Sequence, residues 1–132
     1  MADVCKCVIL PIKPLSVNEA WQGRRYKTRA YKRYEEILLA VMPDIAIPKP
    51  PYRVSYIFGF SSLAADIDNP IKPLQDIIQK RYKIDDKLIK RLTVEVEQTE
   101  KGSEFLGYQI ETYTKRGRKN GLYIYSRELS KM

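Results

Sequence analysis

Residues 52 to 60, YRVSYIFGF, put Tyr52, Val54, Tyr56, Phe58 and Phe60 at alternate positions. A period of two marks a strand with one buried face, and this run predicts the strongest strand of the chain. Before it, DVCKCVILP (3 to 11) predicts a first strand stopped by Pro11. Thr28 predicts the cap of a helix reaching about Val41, with Tyr31, Tyr34, Leu38 and Val41 at helical spacing, Ile37 adjoining, and Met42-Pro43 as the stop. A second helix is expected over about 69 to 82, with Ile71, Leu74, Ile77 and Ile78 on its apolar face. Asn69 would cap it and Pro70 would be its first residue; Pro73 would then cost a hydrogen bond.

Leu88 to Gln98 predicts another strand, with Leu92, Val94 and Val96 on one face and Thr93, Glu95 and Glu97 on the other. EKGSE reads as a turn into FLGYQIETY, so these two strands are expected to form an antiparallel hairpin. The Pro-punctuated stretches PIKPLSVN and PDIAIPKPP read as connections inside the domain. The expected fold is α+β: one small domain of β-α-β-α-β-β order, a mixed sheet with two helices. Its core covers about 3 to 114, and a basic extension covers 115 to 132. In that extension GLYIYS either adds a short strand or packs over the sheet.

Composition narrows the chemistry. The 132 residues include 24 Lys+Arg against 16 Asp+Glu, a formal net charge of +8. That excess fits an anionic partner, nucleic acid first, although a merely solvated basic surface has the same sum. The chain has no histidine, which removes His-based acid–base catalysis, His metal ligands and Ser-His triads. Cys5 and Cys7 are the only cysteines and read as buried free thiols of a reducing cytosol. No apolar run approaches a membrane span and the start lacks a signal-peptide pattern, so a cytoplasmic protein without a membrane partner or organic cofactor is expected.

Two stretches could carry function. EAWQGRRYKTRAYKR interleaves Arg24, Arg25, Lys27, Arg29, Lys32 and Arg33 with Trp21, Tyr26 and Tyr31. Cations for phosphates and rings for stacking suit a nucleic-acid surface; core aromatics with solvated charges give the same composition. The run KRGRKN, 115 to 120, is a second basic patch.

The other stretch is AADIDNPIKPLQDIIQKRYKIDD, 64 to 86. If Asp66 and Asp68 end a strand, they share a face with Cβ atoms roughly 7 Å apart, and can converge on a divalent cation. Carboxylate-held Mg²⁺ supplies phosphodiester hydrolysis with an activated water and charge neutralisation without histidine. Asp86 could join them only if the next strand starts beside that site. Lys72, one turn on from Asp68, could hold a phosphate. Taken singly, each has a plainer role: a turn with a helix cap for Asp66 and Asp68, a surface pair for Lys72 and Asp76, a loop for Asp85-Asp86.

Taken together, Asp66-Ile67-Asp68-Asn69, then Lys72, then Asp85-Asp86 resembles the acidic motif of the RusA-type Holliday-junction resolvases, small endonucleases often encoded by phages and prophages. The early Pro-x-x-Pro-Leu-Ser-Val-Asn18 segment is similar to that family's opening. The likeness follows the order of elements over about 8 to 112 and is sharp over 66 to 86. It implies a RusA-like domain whose Mg²⁺, or Mn²⁺ in its place, is held by Asp66, Asp68 and Asp86, with Asp85 as the alternate and Lys72 as a further catalytic residue. It also implies a homodimer that resolves four-way DNA junctions by paired symmetric nicks in recombination and repair. Asn18, Arg24, Arg25, Lys27, Arg29, Lys72 and Lys80 are the DNA-binding candidates. The competing expectations are a non-catalytic DNA-binding module and a Mg²⁺-dependent nuclease for other branched DNA or RNA.

Overall fold

The fold is built around the 52 to 60 segment. The computed structural model of the chain describes residues 7–22, 26–62 and 66–114. In order these form β1 (Val8–Leu10), α1 (Val17–Ala20), β2 (Trp21–Gln22), β3 (Tyr26–Lys27), α2 (Arg29–Val41), β4 (Tyr52–Phe60), α3 (Ile71–Tyr82), β5 (Ile89–Gln98) and β6 (Phe105–Thr112). A single 3-10 turn, Asp86–Leu88, leads into β5. This is an α+β domain whose main sheet is mixed, in the order β1-β6-β4-β5; β2 and β3 form a separate small ribbon. The expected two helices become three, because PLSVNEA winds a four-residue helix, α1, before the ribbon.

Strand β4 is central because its pattern demands it. Tyr52, Val54, Tyr56, Phe58 and Phe60 are all buried. They face the helices: the Tyr56 hydroxyl donates to Gln75 Oε1 of α3 at 3.0 Å. Tyr31, Tyr34 and Leu38 of α2, Leu74, Ile77 and Ile78 of α3, and Leu106, Tyr108 and Ile110 of β6 complete one core. Val41, expected on the apolar face of α2, is instead 48% exposed; Met42, just past the helix, is buried.

The expected β5–β6 hairpin does not form. Strand β5 pairs parallel with β4, Tyr52 to Ile89 through Phe60 to Gln98, and β6 pairs antiparallel with the other edge of β4. The EKGSE segment carries the chain over the end of β4, where Thr99 N donates to Phe60 O at 2.8 Å. Gly59 makes room for the crossing, since a Cβ there would run into the Phe105 ring and lie 2.9 Å from Thr99 Cγ2. The physical reason is burial. Strand β4 has an apolar face to cover and gains from neighbours on both sides, whereas β5 is exposed along most of its length and suits an edge. A parallel pair needs a crossover, and α3 provides it.

Helix caps follow the sequence at one helix and depart from it at another. Thr28 caps α2: its Oγ1 accepts from Tyr31 N at 3.1 Å. At α3, Asn69 is not the cap; the helix begins one residue later, with Pro70 in the capping position and no side-chain cap bond. Pro73 is then the third helical residue, where a backbone N–H has no partner inside the helix, so the proline costs nothing there. Cys7 is exposed rather than buried. Among the described residues no helix is long and apolar enough to cross a membrane. Residues 3 to 6 of the first strand as read from sequence, Cys5 among them, and the GLYIYS and KRGRKN segments lie outside the described residues.

Candidate functional site

The loop between β4 and α3 holds the first aspartate pair. Asp66, Ile67 and Asp68 are exposed, and they lie in turn-like backbone beyond β4 rather than on a strand end. Asn69 Nδ2 donates to Asp66 Oδ2 at 3.3 Å, and Ile71 N donates to the Asp68 carbonyl at 3.3 Å. Val17 N donates to the Asn69 carbonyl at 2.8 Å, which fastens this loop to α1. Asn18, next along α1, is exposed beside that fastening, its backbone N–H held by Ser16 Oγ at 3.1 Å.

Asp85 and Asp86 are elsewhere. Asp85 caps the 3-10 turn, its Oδ1 accepting from Lys87 N at 2.9 Å, and Asp86 opens that turn. Helix α3 separates the two aspartate pairs. Asp66 and Asp68 precede its N-terminus, and Asp85 and Asp86 follow its C-terminus. Twelve helical residues span about 17 Å along the axis. The condition for Asp86 to rejoin the first pair is not met within one chain, because β5 starts beside Tyr52, at the opposite end of β4 from the loop. Among the described residues no three His, Cys, Asp or Glu side chains gather into a group able to hold a metal ion. Within one chain the strand register thus places Asp86 at the other end of β4 from Asp66 and Asp68.

The basic candidates are better gathered. A groove of about 600 Å³ is lined by Val17, Lys27, Tyr31, Glu35, Lys72, Asp76 and Lys80. Three DNA-binding candidates, Lys27, Lys72 and Lys80, thus converge from β3 and α3. Lys72 and Asp76 form an i,i+4 pair at 3.5 Å, and Lys80 reaches Glu35 of α2 at 3.2 Å. Lys27 Nζ lies over the Tyr31 ring, 4.7 Å from its centroid. Three cations against two carboxylates leave the groove with a net positive charge, and both lysine pairs are exposed enough to be exchanged for phosphate contacts. Val17 connects the groove to the aspartate loop through Asn69.

Arg29 starts α2 and is exposed, away from the groove lining. Arg24 and Arg25 lie outside the described residues. Sequence reading singled out neither Glu35 nor Val17. Glu35 stands one turn after Tyr31 on α2, so its place beside that ring was legible, but its pairing with Lys80 needs the packing of α2 on α3.

No protein-family model matches the chain, and no curated protein sequence matches it.

Proposed function

We propose that the chain is a Mg²⁺-dependent endodeoxyribonuclease that resolves four-way DNA junctions, a RusA-like resolvase acting as a homodimer. The observation that carries this reading is the juxtaposition of the Lys27–Lys72–Lys80 groove with the Asp66–Asp68 loop, joined through the Val17–Asn69 bond. Cations track phosphates and set the register of the duplex arms, while carboxylates next to that track stand where a scissile phosphate would arrive. A protein that only binds DNA gains nothing from exposed aspartates beside its phosphate track, because they repel the backbone. The D-x-D-N-x-x-K motif adds the resemblance described above.

A second reading, a DNA-binding module without catalysis, rests on the same basic groove, which needs no metal to hold phosphate. One experiment separates the readings. Purified full-length protein is incubated with matched four-way junction, flap, duplex and RNA substrates, with Mg²⁺ and with chelator, and the products are mapped. The resolvase gives paired nicks at symmetric positions of the junction, with Mg²⁺ only. A binding module gives salt-sensitive retardation and no products. Cutting confined to flaps or RNA shows a nuclease of different substrate.

A further inference from the structure

The groove between α2 and α3 carries its charges at two levels. Lys72, Asp76 and Lys80 stand at successive steps of four on α3, about 6 Å apart along the axis. Tyr31 and Glu35 stand one turn apart on α2 and line the other side. In the Lys72–Asp76 pair the lysine side chain is 61% exposed and the aspartate 30%; in the Lys80–Glu35 pair the values are 59% and 18%. The carboxylates thus lie toward the floor and the ammonium groups toward the rim. Tyr31, itself buried, belongs to that floor. Burial first, then the charges of Glu35 and Asp76, hold its hydroxyl pKa above the ordinary tyrosine value. Both carboxylates therefore lie near the same ring.

Such a groove opposes phosphate in part. A phosphate that takes Lys80 must displace Glu35 from it, and the displaced carboxylate stays close by, because α2 holds it there. The same is true of Lys72 and Asp76. The fold does not depend on these pairs. Exposed ion pairs contribute little to stability, and Leu38, Leu74, Ile77 and Ile78 pack α2 and α3 into the core. A carboxylate in this place does one thing that an amide or apolar side chain would not. It competes for its lysine from inside the molecule, at a fixed and high effective concentration.

We infer that Glu35 and Asp76 are internal competitors for the groove lysines: each takes its lysine back as a phosphate departs, which keeps bound DNA free to leave. They act through Lys80 and Lys72 and are positioning residues. The inference rests on the groove being the phosphate track and, for its effect on turnover, on the nuclease reading above. A nuclease leaves nicked duplexes that carry the same phosphates as its substrate. The cations that capture the substrate therefore also retain the product, and release can limit the cycle. With a carboxylate beside each rim lysine, the exchange back from phosphate needs only a side-chain movement.

Glu35→Gln and Asp76→Asn remove the charge and keep the shape. The test follows dissociation of the full-length protein from a labelled four-way junction, in chelator, with unlabelled junction as the chase. Each variant should dissociate about two- to fivefold more slowly than the parent, and the double variant about tenfold more slowly. The slope of log affinity against log salt should steepen by up to about one per variant, because no stranded carboxylate then takes up a cation and offsets counterion release. Glu35→Asp, which keeps the charge, should stay near the parent. In Mg²⁺, multiple-turnover cleavage by Glu35→Gln should slow, while a single turnover with protein in excess should not. Urea titration accompanies each variant. Folded variants that dissociate as fast as the parent or faster overturn the inference, as does lost stability with unchanged dissociation, which would leave the pairs a purely structural role. If the parent binds the junction but cuts no substrate, the nuclease reading and the turnover effect fall, and the dissociation rates still decide the competition. If the parent binds no DNA, the phosphate track and the inference fall together.

Discussion

The Tyr82 hydroxyl donates to the Pro43 carbonyl at 2.7 Å and lies 2.6 Å from the Tyr108 hydroxyl. A phenol has one proton to give. Tyr82 gives its proton to Pro43, so Tyr108 must be the donor between the rings. Tyr82→Phe therefore breaks two bonds and strands the buried Tyr108 hydroxyl, whereas Tyr108→Phe breaks one. Urea titration should show Tyr82→Phe costing about 1–3 kcal/mol and Tyr108→Phe about 1 kcal/mol. Burial also pushes the hydroxyls of Tyr31, Tyr34, Tyr56 and Tyr108 above the ordinary tyrosine value of 10.0. In the unfolded chain these groups ionise near pH 10; in the native protein they hold their protons. Above about pH 10 the unfolded state binds fewer protons, so stability is intact below that pH and falls as pH climbs. The part of the tyrosinate absorbance that these four of the ten tyrosines contribute should rise together with the loss of structure, rather than before it. At this scale the sequence was legible where the signal was local: the Thr28 cap and the alternation in β4 needed only neighbours. Asn69 was misread because an Asn before a proline has two uses, and here its side chain serves Asp66 instead of the helix.

Among the elements, α3 contributes most to the site. It carries Lys72 and Lys80 on the groove side and Leu74, Ile77 and Ile78 on the core side. Its crossover makes β4 and β5 parallel, and that alone sends the two aspartate pairs to opposite ends. Lys72→Ala and Lys80→Ala should each weaken junction binding across sequences, and each should lower the slope of log affinity against log salt by up to about one. The core should be unaffected, since both lysines are exposed. Strands β4, β5 and β6 were legible to within a residue, because each is a self-contained alternation, whereas the two-residue strands β2 and β3 were not. Their order was not. A five-residue turn between β5 and β6 reads as a hairpin, and only the competition for the flanks of β4 shows that it crosses over.

For the molecule as a whole, the D-x-D-N-x-x-K motif and the second aspartate pair could be read in the chain, but their separation could not, because it depends on strand direction. The Lys27–Lys72–Lys80 groove carries a net positive charge and is the phosphate track on which the proposed nuclease reading depends. The most direct test compares the unaltered protein with Asp68→Asn on a synthetic four-way junction in Mg²⁺, measuring binding and cleavage side by side. The account predicts symmetric nicks from the parent, and from Asp68→Asn equal or tighter binding with no cleavage, since a charge that repels phosphate is gone. Cleavage by Asp68→Asn at the parental rate, or binding without any cleavage by the parent, would contradict it.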